Sequence, residues 1–521
     1  MEQETDVETL ELGVKSAKVA SLVAATQIVS IIIGGVMLVL LARLLEPAQY
    51  GIYTLAYGVS IFFSAFGLSG IGHYLNRYVP IWIVRKKKEE LERDLGASML
   101  VLAEISLGAI VLGVLFSGLI SAYVFHNVSY IPLIDLSLLS IIFTLLMFLE
   151  YNALIGFKDG IGSAMTFSGG NAGIAVASVG LVLLGYGVMG AIAGLILGSF
   201  FGILIGTFYI TRHCRIRVEM DDIWERSRRI LAFSLPIAGA TIIPGLMNSF
   251  SILFLGAFSS SVILGSFGIA YRVGTIVLTA VAFVGSVLIQ MFASAMEGKN
   301  SRQVVSKLYN YSIYFGALLA IPITAYLIVF AHAFATSLFP AFKSSVLYTP
   351  AVCVSLVIGT IGTYASSLAI SAGKVRKVLD YAAITGVVQL ALLLLLVPAL
   401  NAYGVIIAIY FAGSVVSNWL YMRYMEKEMR IKTELGKVYR IIVASTILAI
   451  VLFPISLLQI SETLQLVIGA VAAIVLYPLM FGVTRAIGKR DVELLNEIGK
   501  STPKLGRLFG YLTSYISIFI R

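Results

Sequence analysis

The 521 residues are 59% hydrophobic and 12% charged, with a mean hydropathy of +0.96. No soluble core holds that much apolar surface, so water is excluded as the main solvent and an all-α polytopic membrane protein is expected. The formal net charge of +10 would suit nucleic acid, but the placement of the charges points elsewhere.

The chain opens on MEQETDVETLEL, acidic where a secretory leader is basic, so the first apolar run is expected to be a span. A bilayer core about 30 Å thick takes about 20 helical residues. Runs of that length recur at 18–42, 50–76, 97–122, 131–155, 161–185, 187–211, 230–256, 262–291, 307–336, 345–371, 378–398, 402–424, 439–458 and 463–484, which predicts fourteen transmembrane helices. With the N-terminus inside, all but three of the 37 Lys/Arg fall in inner connections or tails. The exceptions are Arg43 and Lys343 outside and Arg272 within a span. That asymmetry follows the positive-inside rule and predicts a plasma-membrane protein with both termini cytoplasmic. The basic charge is then topological, and no nucleic-acid partner is expected.

In helix 1, Gln27 and the pair Gly34-Gly35 are candidates for a cavity wall. The next stretch, LARLLEPAQYGIYTLA (41–56), breaks the apolar run with Arg43, Glu46 and Pro47. Pro47 is expected to end helix 1, Arg43 and Glu46 to pair at the corner, and Gly51 to let helix 2 pack closely. Helix 2 ends SGIGHYLNRYVP, which places His73 and Arg77 on one face near the inner mouth. They suit an anionic headgroup; snorkelling to the interface is the alternative for Arg77. Glu104, Glu150 and Asp380 lie at or within spans as candidate proton or Na⁺ coupling groups. Near the inner edge, Lys158 is placed to neutralise Glu150, and Lys374, Arg376 and Lys377 to neutralise Asp380.

The outer connection at 123–131 carries the sequon Asn127-Val128-Ser129. Helix 7 reads FSLPIAGATIIPGLMNSFS. Pro236 and Pro244 are expected to bend or break it, as a gate or as a static kink, with Asn248 a cavity hydrogen-bonder. Arg272 in helix 8 lies roughly 15 Å below the outer surface at 1.5 Å per residue. An ionisable residue at that depth faces a cavity or a partner. Its forked donors suit phosphate, and a structural pair with an acid is the alternative. The tail after Arg485 is too polar to span and is expected to form an amphipathic helix on the inner surface.

An internal repeat runs through the chain. YGIY (50–53) matches FGIA (267–270) at an offset of 217. YGVMGAI (186–192) matches YGVIIAI (403–409) in five of seven residues at the same offset, and Gly156 and Gly373 share it. The offset covers six helices, so the halves have the same orientation and their pseudo-twofold axis runs along the membrane normal. The expected organisation is an N-lobe at 1–212, a linker at 213–229, a C-lobe at 230–425, two added helices at 426–486 and an amphipathic tail at 487–521.

RLLEPAQYGIYTLA after a first helix resembles the signature of prokaryotic Wzx-type polysaccharide flippases, of the multidrug/oligosaccharidyl-lipid/polysaccharide exporter superfamily. The helix count, the two six-helix lobes and the basic loop after helix 2 are similar as well. DVELLNEIGK is similar to the tails of archaeal members. The resemblance implies movement of a polyprenyl- or dolichyl-(pyro)phosphate-linked oligosaccharide from the inner to the outer leaflet. It also implies glycosyltransferases of the same pathway as partners. The same superfamily holds drug/cation antiporters, which is the second reading. A saccharide polymerase or ligase would need a large outer catalytic loop, and none is present. Without HExxH, CxxC or a nucleotide loop, no enzyme, metal or cofactor is expected.

Overall fold

A computed structural model describes residues 26–65, 69–296 and 301–488. Side chains at 69, 236, 237, 240, 241, 280–296, 301, 356, 357, 360, 361 and 483 lie outside that description, as does the expected tail helix from 489 onward. The described residues hold no strand, and the described part of each expected span is mainly helix. These are α1 (Thr26–Leu44), α2 (Pro47–Ser64), α3 (Ser69–Val84), α4 (Lys88–Tyr123), α5 (Ile131–Gly156), α6 (Gly160–Leu181), α7 (Gly187–Thr211), α8 (Ile223–Phe258) and α9 (Ser261–Met296). There follow α10 (Ser301–Val329), α11 (Ala331–Leu338), α12 (Ser345–Ile358), α13 (Thr360–Ser371), α14 (Val375–Leu400), α15 (Ala402–Ile409), α16 (Ser417–Lys427), α17 (Gly436–Ser456) and α18 (Glu462–Thr484). Expected helix 2 is shared by α2 and α3, and expected helix 10 by α12 and α13. Ten of the described helical stretches are long and apolar enough to cross a bilayer, one of them holding two spans joined at Gly185.

The chain forms two compact units, 1–268 with 374–409, and 269–373 with 410–521. The first contains α1–α8, the start of α9, and α14–α15. Its α6 and α7 pack through glycines at every fourth position: Gly190, Gly194, Gly198, Gly202 and Gly206. A Cβ on Gly198 would overlap the backbone of Ile174, and one on Gly194 the backbone of Ser178. Lipid tails are as apolar as leucine, so close van der Waals packing has to supply helix association, and only glycine permits this approach. Between the two helices, Gly185 (φ +93°) and Gly187 (φ +52°) take backbone conformations that other residues rarely adopt.

At the opening corner, Glu46 is extended and Pro47 is the first residue of α2, where its missing N–H costs nothing. Gly51 lies against the Ser261 carbonyl and Gly265 at the start of α9, and Gly265 lies against the Pro47 carbonyl. Gly268, the repeat counterpart of Gly51, packs on Thr54. The repeat-related helices α2 and α9 therefore meet through their signature glycines.

α8 runs unbroken through Pro236 and Pro244 from Ile223 to Phe258. No break interrupts the helix at either position, and α2, α3 and α14 pack along it. Gly256 packs under Leu55, and Gly386 of α14 packs under Ile243. Gln389 Nε2 donates to Ser251 Oγ at 3.1 Å, and Ser259 Oγ donates to Asn401 Oδ1 at 2.8 Å.

In the second unit, α10, α17 and α18 enclose a core of Tyr314, Phe330, Ile441, Leu448, Leu452 and Phe481. The hydroxyls of the buried Tyr314 and the half-buried Tyr326 donate to the carbonyls of Ala486 (3.0 Å) and Leu466 (2.7 Å), so both phenols are satisfied. The junction of α12 and α13 at Gly359 frees backbone groups that a bilayer cannot solvate. Asn418 of α16 meets both: its Nδ2 donates to Ile358 O at 2.7 Å and its Oδ1 accepts from Gly362 N at 2.8 Å.

Gly51→Val is expected to destabilise the protein by about 1–3 kcal/mol through overpacking at the Ser261 carbonyl. Gly34→Ala is the control, since a Cβ at Gly34 meets nothing within 4 Å. Thermal melts in detergent should fall for the first variant and hold for the second; equal melts would refute the close contact.

Candidate functional site

The basic end of the first unit is organised around an acid that sequence reading passed over. α4 begins KEELERDLGAS, so Glu90 and Asp94 project from one face, one turn apart. Asp94 is buried, with 2% of its side chain exposed. Its Oδ1 accepts from Arg226 Nη1 at 2.7 Å and Arg229 Nη2 at 3.0 Å. Its Oδ2 accepts from Tyr74 OH at 2.8 Å and Trp82 Nε1 at 3.0 Å. Arg226 also donates to Glu90 Oε2 at 2.9 Å, a bond that holds the Glu90 carboxyl below its usual range. One carboxylate thus joins α3, α4 and the entry of α8.

The connection from α7 to α8 lies along α4. Glu92 accepts from the Arg215 N–H at 3.0 Å and pairs with Arg217 Nε at 3.1 Å. Gly96 leaves room for the Arg217 carbonyl. Cys214 is buried there. Burial, with the Glu92 charge beside it, pushes its thiol up to about 11, which makes it a poor nucleophile at neutral pH.

Arg77 stands one turn from Tyr74 on α3 and is exposed. Its guanidinium lies 5.4 Å from the Phe233 ring centre and 5.8 Å from that of Tyr78. Tyr74 stacks on Tyr78 at 4.4 Å, and both rings meet Phe233 edge-on at 5.8 and 5.6 Å. Arg77 makes no ion pair or hydrogen bond among the described residues. Aromatic faces hold the cation and leave its donors open. His73 is exposed on the same face one turn away.

The other expected site residues are dispersed. Gln27 Nε2 donates to Tyr151 OH at 3.4 Å, which ties α1 to α5. Asn248 and Pro244 are exposed on α8, while the side chain of Pro236 lies outside the described residues. Glu104 is exposed on the apolar face of α4 that carries Leu107, Val111 and Leu115, and Asp380 is exposed near the start of α14. Glu150 is buried against α7, where Oε1 accepts from Thr207 Oγ1 at 2.7 Å and Oε2 meets no hydrogen-bond partner. Arg272 is exposed on α9, in the second unit, next to Tyr271. Among the described residues, no three His, Cys, Asp or Glu side chains are grouped to hold a metal ion.

The missed residues had one sequence signal, the i,i+4 acids Glu90 and Asp94 directly ahead of an apolar run. Arg226→Ala should cost about 3–5 kcal/mol, since it leaves the buried Asp94 charge short of its main partner. Arg228→Ala on the exposed face should leave the melting temperature unchanged. Equal melts for the two variants would overturn the assignment.

Residues 40–346, more than half of the chain, match the family model described as polysaccharide biosynthesis protein. No curated protein matches. Among solved structures, a lipid II flippase, MurJ, in an inward closed conformation aligns with a TM-score of 0.71 at 17% identity, over 88% of this chain and 97% of its own. An inward-facing multidrug resistance MATE family transporter of the MOP superfamily aligns with a TM-score of 0.55 at 17% identity, over 80% and 95%. A MOP superfamily transporter from Pyrococcus furiosus aligns with a TM-score of 0.52 at 16% identity, over 79% and 96%. At these identities the likeness is one of fold: a multi-pass membrane protein built as MOP-superfamily flippases and transporters are. With its family model matched through the opening corner and the basic end, the chain belongs to the polysaccharide biosynthesis protein family.

Proposed function

We propose that this protein flips a polyprenyl- or dolichyl-(pyro)phosphate-linked oligosaccharide from the inner to the outer leaflet, by alternating access of two lobes at 1–212 and 230–425. The observation that carries the reading is Arg77, a guanidinium held by Tyr78 and Phe233 with no acid paired to it among the described residues. Such a group presents a forked donor to phosphate oxygens. It lies at the end of the chain's spans that the positive-inside rule places in the cytoplasm, where a lipid-linked saccharide is assembled. His73 extends the receiving face. Arg272 is the second anion-binding group, for the crossing itself, with Asn248 a hydrogen-bonder to sugar. The lipid tail stays in the bilayer, glycosyltransferases supply the substrate, and no bond is made or broken.

Gln27 serves this reading as a tie between helices, given its bond to Tyr151. Glu150, buried with one oxygen unpartnered, favours a second reading, drug/cation antiport. In that case it would be the coupling group, ahead of the exposed Glu104 and Asp380, and α8 with its two prolines would bend as the gate.

Reconstituted proteoliposomes carrying a fluorescent short-chain prenyl diphosphate disaccharide discriminate the readings. The wild type should expose the probe to an outer quencher. Arg77→Ala and Arg272→Ala should each slow exposure about tenfold or more, the loss expected for a charge-assisted hydrogen bond. Full activity in both variants, or ethidium efflux that depends on a cation gradient and Glu150, would favour the antiporter.

A further inference from the structure

Burying Asp94 under two arginines is an expensive way to join helices, since apolar side chains of similar volume would hold them as well. What a carboxylate adds is geometry. Both of its oxygens are filled, each by two donors, and the four side chains that fill them are thereby fixed in direction. Two of those directions lead to Arg77. Tyr74, fully buried, is anchored at its hydroxyl by Asp94 and stacks its ring on Tyr78. Arg226 and Arg229 fix the first turns of α8, and Phe233 stands one turn beyond Arg229. Tyr78 and Phe233 are the two faces that hold the Arg77 guanidinium.

We infer that Asp94 is a positioning residue for an anion receptor at Arg77, setting both walls of the aromatic cradle through Tyr74 on α3 and through Arg226 and Arg229 on α8. Asp94 touches no substrate itself. The inference rests on the reading of Arg77 as a headgroup-phosphate receptor. It adds that the receptor's affinity is governed by a carboxylate on another helix, and that binding at Arg77 is felt at Trp82, whose N–H the same carboxylate holds.

Trp82 supplies the readout. The chain has three tryptophans, and Trp224→Phe with Trp419→Phe leaves Trp82 as the single reporter. In nanodiscs, titration with farnesyl diphosphate should saturate a change in Trp82 emission, and uncharged farnesol should not. Arg77→Ala should abolish the response. Tyr74→Phe, which removes one hydroxyl and keeps the ring, should weaken binding about threefold to tenfold, as loss of one hydrogen bond would. Its melting temperature should stay close to the parent's, and its ligand-induced emission change should shrink. Asp94→Asn should lower the melting temperature, as loss of the buried pair with Arg226 does, and should in addition weaken binding and shrink the emission change more than Tyr74→Phe, and Asp94→Glu should recover part of the affinity. A merely structural Asp94 would leave affinity and emission change intact in these variants, whatever their melting temperature. If Arg77→Ala loses binding while Tyr74→Phe and Asp94→Asn bind like the parent, the positioning role is overturned and the receptor stands. If Arg77→Ala binds normally, or the parent gives no response, the receptor fails and the positioning role fails with it.

Discussion

A carboxylate carried out of water keeps its charge only when its lone pairs are met, and among the described residues Asp94 is the place where this is done most completely. Tyr74, Trp82, Arg226 and Arg229 converge on it from two helices that precede and follow α4 in sequence. The order of the basic end follows from that convergence. The connection before α8 runs along α4 because Glu92 receives Arg215 and Arg217 just beside it. α8 starts in a fixed direction because Arg226 is held in its first turn. That helix continues to Phe258, and Ser259 just beyond it bonds Asn401 between α14 and α15. A clamp at one end thus shares a rigid element with contacts at the other.

The spans were legible because the bilayer imposes one length and the charge rule one alternation, and both can be counted along a single chain. Interior detail was not, because it depends on partners far away in sequence. The junction of α12 and α13 is sustained by Asn418, which sits beyond two further helices. Gly51 announced a close approach, but only the fold supplies Ser261 and Gly265 as what it approaches. The repeat was legible as an offset, and its matches differ in structural use. Gly51 and Gly268 share one helix contact, whereas Gly156 packs under Val79 and Gly373 takes a positive φ at the end of α13.

The site was legible in residue type and not in arrangement. Arg77 stood out as a cation four residues from His73 near the inner mouth. Nothing adjacent to it specified Phe233, which arrives from α8. Asp94 drew no reading of its own, since its burial is decided by Arg226 and Arg229 well over a hundred residues later. The coupling candidates separate for the same reason. Edge lysines were expected to neutralise both Glu150 and Asp380. In the fold, Glu150 instead meets the Thr207 hydroxyl beside Gly206, where the absence of a side chain admits the carboxyl to the helix interface.

The two ways in which this end of the molecule holds its arginines differ in consequence. Arg226 and Arg229 are held by acids, so their charge is spent within the protein and a passing anion gains little from them. Arg77 is held by rings. A cation over an aromatic face gains about 0.5–1 kcal/mol at an exposed site and keeps its full charge and all its donors. A receptor for a phosphate that has to be released again needs that combination: a guanidinium fixed in place but not neutralised, in contacts weak enough to leave its field directed outward. Asp94 makes the combination possible by placing its ion pairs one layer behind, where they set the rings without reaching the cation.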